Sequence, residues 1–180
     1  MSRRLLYTIL TLVMVIMPLN AVKVRTLTGE FRQVREQAMF DEPQESRGHF
    51  SFMADSLLRW EYTTPQKFGL IAKNNKVSIL REDGSEQSTS AYALESLVKM
   101  IRQSIAGNWQ EAAEQFNVER EETKDGVVIT LTPVKRANKQ AFTKMKIWLD
   151  KAEVLAKMVK MWEKNGDTTT IYFQNLQLNK

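Results

Sequence analysis

Large apolar side chains recur at every second position between Glu42 and Pro65, in the stretch EPQESRGHFSFMADSLLRWEYTTP. Phe50 and Phe52 alternate with Ser51 and Met53, and Leu58, Trp60 and Tyr62 alternate with Arg59 and Glu61. A period of two places one such set on a single sheet face, so the stretch predicts two antiparallel strands with one greasy side. The same texture runs on through the chain. Leu27, Gly29 and Phe31 alternate in a first strand, and Phe68, Leu70 and Ala72 form another that turns at Asn74-Asn75 into Val77 and Ile79. Asp83-Gly84 ends that hairpin. Asp125-Gly126 joins a strand opened by Phe116 and Val118 to the β-branched run from Val127 to Val134, again with strong turn chemistry. Met145, Ile147 and Leu149 alternate cleanly, and Met158, Lys160 and Trp162 less so. Asn165-Gly166 then leads into a last strand from Thr168 to Leu178. Short strands at regular spacing predict an antiparallel sheet in meander order.

One segment follows the helical period instead. From Ser90 to Ala106 the apolar residues Tyr92, Leu94, Leu97, Val98, Ile101 and Ile105 fall on one stripe, with Ser88 or Ser90 as a cap and Gly107 just past the end. A second, short helix is expected over Asn108 to Gln115. A helix of this kind buries its stripe against a sheet face. The expected fold class is therefore α+β, mainly β: a strongly curved antiparallel sheet with a helical cover.

Hydropathy also bears on the compartment. Arg3 and Arg4 precede an uncharged apolar run from Leu5 to Leu19, and Pro18, Asn20 and Ala21 suit a processing site. The run is shorter than the roughly 20 residues that span a bilayer. It reads as a cleavable signal peptide over residues 1–21, cut after Ala21, with a single domain over residues 22–180. An uncleaved anchor is the alternative. The chain has no cysteine, so it has no lipid attachment site, no disulfide and no thiolate chemistry. A soluble exported protein, periplasmic in a Gram-negative cell, is the expectation.

Charge adds little to this. The net charge is +5, and without Arg3 and Arg4 the remaining 24 basic and 21 acidic residues leave +3. Basic and acidic residues interleave, which describes a solvated surface better than a nucleic-acid interface. A short cluster of Lys135, Arg136 and Lys139 is able to steer an acidic partner or meet lipid headgroups. Catalysis has little to work with. His49 is the lone histidine and alternates to the face opposite Phe50, and no G-x-S-x-G, H-E-x-x-H or phosphate-loop motif is present. The acidic groups Asp41, Glu42 and Glu45, and Glu119, Glu121, Glu122 and Asp125, lack metal-ligand spacing. No enzyme activity, metal or cofactor is expected.

The pattern Phe31-x-Gln33, Gly48-x-Phe50-x-Phe52, then Leu58-Arg59-Trp60-Glu61-Tyr62 and Pro65 resembles the outer-membrane lipoprotein carrier proteins, the LolA-like family. The order of later elements fits as well: the Asn74-Asn75 hairpin, the Ser90–Ala106 helix, and a strand ending Leu131-Thr132-Pro133. The resemblance implies an incomplete antiparallel β-barrel curled around an apolar cavity, with helices as a lid. It implies a periplasmic carrier that takes the acyl chains of a lipoprotein from an inner-membrane exporter to an outer-membrane acceptor. Two positions depart from the pattern. Only residues 22–26 stand where the family has a longer first helix, and Ala54 stands where it has an arginine.

Burying one CH₂ contributes about 0.8 kcal/mol, so a sixteen-carbon chain gains on the order of 12 kcal/mol in an apolar concavity. Phe50, Phe52, Leu58, Trp60 and Tyr62 are expected to line one wall of it, with Leu58 near the mouth by the resemblance. Leu70, Ile79, Ile129, Leu131, Ile147 and Phe173 come from other strands, and Leu97 and Ile101 from the helix. The same residue types also build an ordinary core. Met39, Met53, Met100, Met145, Met158 and Met161 suit either an adaptable apolar surface or gap-filling. The expected partners are an acylated lipoprotein or other lipid cargo, with the protein itself a monomer. A static envelope scaffold of the same fold is the competing reading.

Overall fold

A computed structural model describes residues 25–53, 56–73, 76–89, 116–134, 142–151 and 155–179. Eleven strands make up these residues: β1 (Thr26–Glu36), β2 (Gln44–Met53), β3 (Leu57–Thr64), β4 (Phe68–Lys73), β5 (Lys76–Leu80), β6 (Glu86–Thr89), β7 (Phe116–Thr123), β8 (Gly126–Pro133), β9 (Phe142–Leu149), β10 (Ala156–Glu163) and β11 (Thr168–Asn179). They form one antiparallel sheet in the order β6-β5-β4-β3-β2-β1-β11-β10-β9-β8-β7. With β6 at one edge and β7 at the other, the sheet is not closed. The expected signal peptide, the Ser90–Ala106 helix, the 108–115 helix, Ala54, Asn74-Asn75 and the Lys135–Lys139 cluster lie outside the described residues.

The meander holds within each half and breaks between them. β1 to β6 pair in chain order, as do β7 to β11, and the halves join where β1 pairs β11 from Thr26↔Asn179 to Glu36↔Thr168. The turns at Asp83-Gly84, Asp125-Gly126 and Asn165-Gly166 fall where the dipeptides place them. Gly84 and Gly166 take φ of 81° and 90°, left-handed values that a residue with a Cβ adopts at a cost.

Register puts most of the large buried apolar residues on one face. Leu27, Phe52, Leu58, Ala72 and Val77 form one row across the first half, and Gly29, Phe50, Trp60, Leu70 and Ile79 the next. In the second half Ile171, Val159, Ile147 and Ile129 form a row, and Thr169, Met161, Met145 and Leu131 another. This face is concave. Strands three apart lie about 14 Å from each other at the usual inter-strand spacing. Yet the Trp60 ring of β3 comes within 6.3 Å of the Phe173 ring of β11.

One strand whose alternation is poor in the sequence has its faces set by the structure. In β10 the apolar face carries Ala156, Val159 and Met161, while Met158, Lys160 and Trp162 turn outward and are half-buried. The register slips between Ala156 and Met158, which shifts the alternation by one residue. Trp162 is apolar enough to suggest an inner position, but outside it lies beneath the Lys144 ammonium at 4.3 Å and near that of Lys160 at 5.6 Å.

Candidate functional site

The inner face divides into an aromatic wall and an aliphatic one. On β1 to β3 two glycines leave gaps that rings fill from neighbouring strands. A Cβ on Gly48 would meet the Glu61 carbonyl oxygen at 1.9 Å and the Phe31 ring at 2.6 Å. With none there, Phe31 reaches across β2 to stack on Trp60 at 4.1 Å and meets Tyr62 edge-on at 5.0 Å. Over Gly29, Phe50 meets the Phe173 edge at 5.9 Å and also stacks on Trp60 at 5.2 Å. Tyr62 stacks on Phe68 at 4.3 Å. Offset and edge-on pairs of this kind add about 0.5–1.5 kcal/mol each beyond area burial.

The structure thus brings together Phe50, Phe52, Leu58, Trp60, Tyr62 and Leu70, all buried. Ile129, Leu131 and Ile147 share the same face on the other half and are buried too. Ile79 is in register with Leu70 but half-buried, on β5 next to the edge strand β6. Leu97 and Ile101 lie outside the described residues. Among the methionines, Met145 and Met161 are buried neighbours on the inner face, whereas Met39 and Met53 are exposed.

Sequence reasoning missed two features of this face. Val159, Met161 and Ile171 belong to the aliphatic wall. Val159 and Met161 were masked by the slip in β10, and Ile171 by the unbroken apolar run Ile171-Tyr172-Phe173 in β11. The second is a buried polar cluster where β1, β10 and β11 meet at one end of the sheet. Arg35 Nη2 donates to both Glu163 carboxylate oxygens at 3.2 Å and lies 3.5 Å from Asp167. Burial pushes the Glu163 carboxyl up from its usual range. Burial also opposes ionisation of Asp167, but hydrogen bonds from Gln37, the Ala38 N–H and Asn165 outweigh it and hold that carboxyl down. Nearby, the Tyr62 hydroxyl donates to Gln33 Oε1 at 3.0 Å, and burial raises the phenol above its normal range. The signal for this cluster was weak, because isolated charges along strands read as solvent-facing.

His49 lies on the outer face, half-exposed, with Nε2 3.4 Å from Glu61 Oε1. Arg59 donates to the same carboxylate and keeps it below its ordinary value. Among the described residues no group of three or more His, Cys, Asp or Glu is placed to hold a metal ion. No helix among them is long and apolar enough to cross a membrane. Among the described residues the inner face offers surface for apolar groups and a few buried hydrogen-bonding atoms.

Residues 22–180 match the family described as "Outer membrane lipoprotein carrier protein LolA". The chain belongs to this family of lipoprotein carriers. It is 28% identical over 154 residues to an outer-membrane lipoprotein carrier protein of Methylococcus capsulatus, covering 85% of this chain and 71% of that one. It also shares its fold with the Pseudomonas aeruginosa MucA/MucB complex structure, at 13% identity and a TM-score of 0.50, over 86% of this chain and 52% of that one. A LolA superfamily protein of Nitrosomonas europaea aligns over 100% of this chain and 94% of its own, with 9% identity and a TM-score of 0.43. The open, mainly β sheet is the fold of this member of the family.

Proposed function

We propose that this carrier-family protein sequesters the acyl chains of lipoproteins in the periplasm and moves them from an inner-membrane exporter to an outer-membrane acceptor. One observation carries the reading: the inner face is apolar from β2 across to β8 in an open sheet, with a soft aliphatic and methionine wall opposite a ring-lined one. Acyl chains need contact area rather than directional bonds, and this face supplies it. Family membership supports a lipoprotein or lipid cargo. The family match begins at residue 22, next to the expected cut after Ala21, which supports a signal peptide over residues 1–21 and one domain over residues 22–180. A single-layer sheet this apolar needs cover, and the 90–106 stretch, with its stripe of Leu94, Leu97, Val98 and Ile101, has the chemistry of a lid.

The close stacking of Phe31, Phe50 and Trp60 favours a second reading, a scaffold whose inner face is permanently filled. Native mass spectrometry of the mature protein, with lipid extraction in parallel, separates the two. A co-purifying acylated peptide or lipid supports the carrier. A bare protein that also refuses a fluorescent long-chain probe supports the scaffold. Leu58 gives a sharper test. It stands one residue inside the start of β3, so a glutamate there is able to turn its carboxylate past the strand end. Leu58→Glu is expected to stay folded and lose probe uptake, because an ionised carboxylate opposes acyl entry. Outright unfolding would make Leu58 core.

A further inference from the structure

The loop between β1 and β2 presents Met39, 83% exposed, next to Phe40, 48% exposed. Single exposed apolar residues are ordinary on protein surfaces, but here two adjacent large ones stand at the tip of a held loop. Asp167, from the turn between β10 and β11, holds it. Its carboxylate accepts from the Ala38 N–H and from Gln37 Nε2, both at 3.2 Å, and the Phe40 N–H closes a turn on the Gln37 carbonyl at 3.0 Å. Beside the pair lies a cleft of about 380 Å³, whose walls include Phe40, Asp41, Pro43, Gly166 and Thr168.

Charge selects the occupant. The segment from Glu36 to Pro43 reads EQAMFDEP, with three acids and no cation. Thr168 and Lys160 hold the Glu36 carboxyl below its usual range, so it stays ionised. Of the nearby cations, Lys160 pairs with Glu36 at 3.5 Å, Arg35 is engaged with Glu163 and Asp167, and Lys164 follows β10 in the adjoining turn. An anionic bilayer surface is repelled by such a segment. An apolar centre with a charged rim is the anatomy of a protein interface, and Met and Phe are enriched at such centres. We infer that the β1–β2 loop docks another protein, one that offers an apolar pocket bordered by lysine or arginine. This surface is separate from the inner face and does not depend on what that face holds.

The test uses the mature protein and a short synthetic peptide alternating lysine with leucine and phenylalanine, beside the same peptide with glutamate for lysine. Amide NMR locates binding. The lysine peptide is expected to perturb residues 37–43, with affinity falling as salt rises from ~50 to ~300 mM. Met39→Ser with Phe40→Ser is expected to weaken that binding by ~10-fold or more without changing thermal unfolding, since both side chains are exposed. Asp41→Asn with Glu42→Gln is expected to flatten the salt dependence. The inference is overturned if the lysine peptide leaves the loop unperturbed, if the glutamate peptide binds equally, or if the variants bind like the wild type. It is also overturned if phosphatidylglycerol vesicles perturb the loop instead, or if the same resonances report self-association of this chain.

Discussion

The two walls of the inner face are built from different materials. On β1 to β3, Phe31, Phe50, Trp60 and Tyr62 lock one another through ring contacts that depend on the gaps at Gly29 and Gly48. On β8 to β11, Ile129, Leu131, Met145, Ile147, Val159, Met161 and Ile171 pack as aliphatic and thioether side chains, with Phe173 at one margin against Phe50 and Trp60 and Phe142 stacked on Phe116 at another. A ring in such a cluster has a fixed orientation, so moving it disturbs every partner. Methionine and isoleucine find alternative packings at lower cost. The aromatic wall therefore sets the shape of the sheet, and the aliphatic wall is the side that repacks at lower cost.

Breaking the aromatic wall has the largest expected effect. Trp60→Ala removes the ring that Phe31 and Phe50 stack on, and is expected to cost about 4 kcal/mol of unfolding free energy, read from the shift in urea midpoint. Pairing it with Phe31→Ala should cost less than the sum of the two, since both remove one contact. On the aliphatic wall, Ile147→Ala is expected to cost about 3 kcal/mol, as it opens a cavity at a wholly buried site. Met161→Leu conserves volume and should cost less than about 1.5 kcal/mol while leaving probe uptake in place. Equal losses from Trp60→Ala and Met161→Leu would erase the distinction between the walls.

The smallest effect is a change of slope with pH. The folded state raises the Glu163 carboxyl above its usual value of 4.5, so below that pH both folded and unfolded chains hold the proton and no penalty exists. As pH rises from there, the unfolded chain ionises first, and stability falls until the folded state has ionised too. Asp167 has the opposite sign: its carboxyl is lowered from 3.8, so it adds stability as pH rises toward that value. Glu163→Gln is expected to flatten the decline above pH 4.5 in thermal unfolding, and Asp167→Asn to weaken the gain below it.

Most of this sheet was legible in the chain because alternation and turn dipeptides are local signals. Phe50, Phe52, Leu58, Trp60 and Tyr62 announce their face by spacing alone, and Asp83-Gly84 and Asn165-Gly166 announce their turns. What stayed hidden depends on partners far along the chain. The pairing of β1 with β11 has no local signature, and the slip at Ala156 left the alternation of β10 without a readable inner face. Arg35 and Glu163 are 128 positions apart, so nothing local marks them as a buried pair. The inner-face candidates on β2 to β4, β8 and β9 were found. Their division into two walls follows from Gly29 and Gly48, whose meaning appears only once the neighbouring strands are in place.

The seam between β1 and β11 also sets an order of events in folding. These strands sit at the middle of the sheet, yet they are the first and last strands among the described residues. Either half has local hairpins to start from, but neither gains its central neighbour until the final residues arrive and a very long loop closes. A chain emerging amino end first would hold two partial sheets with unpaired inner edges until Thr168–Asn179 is in place, and would then complete its framework in one late step.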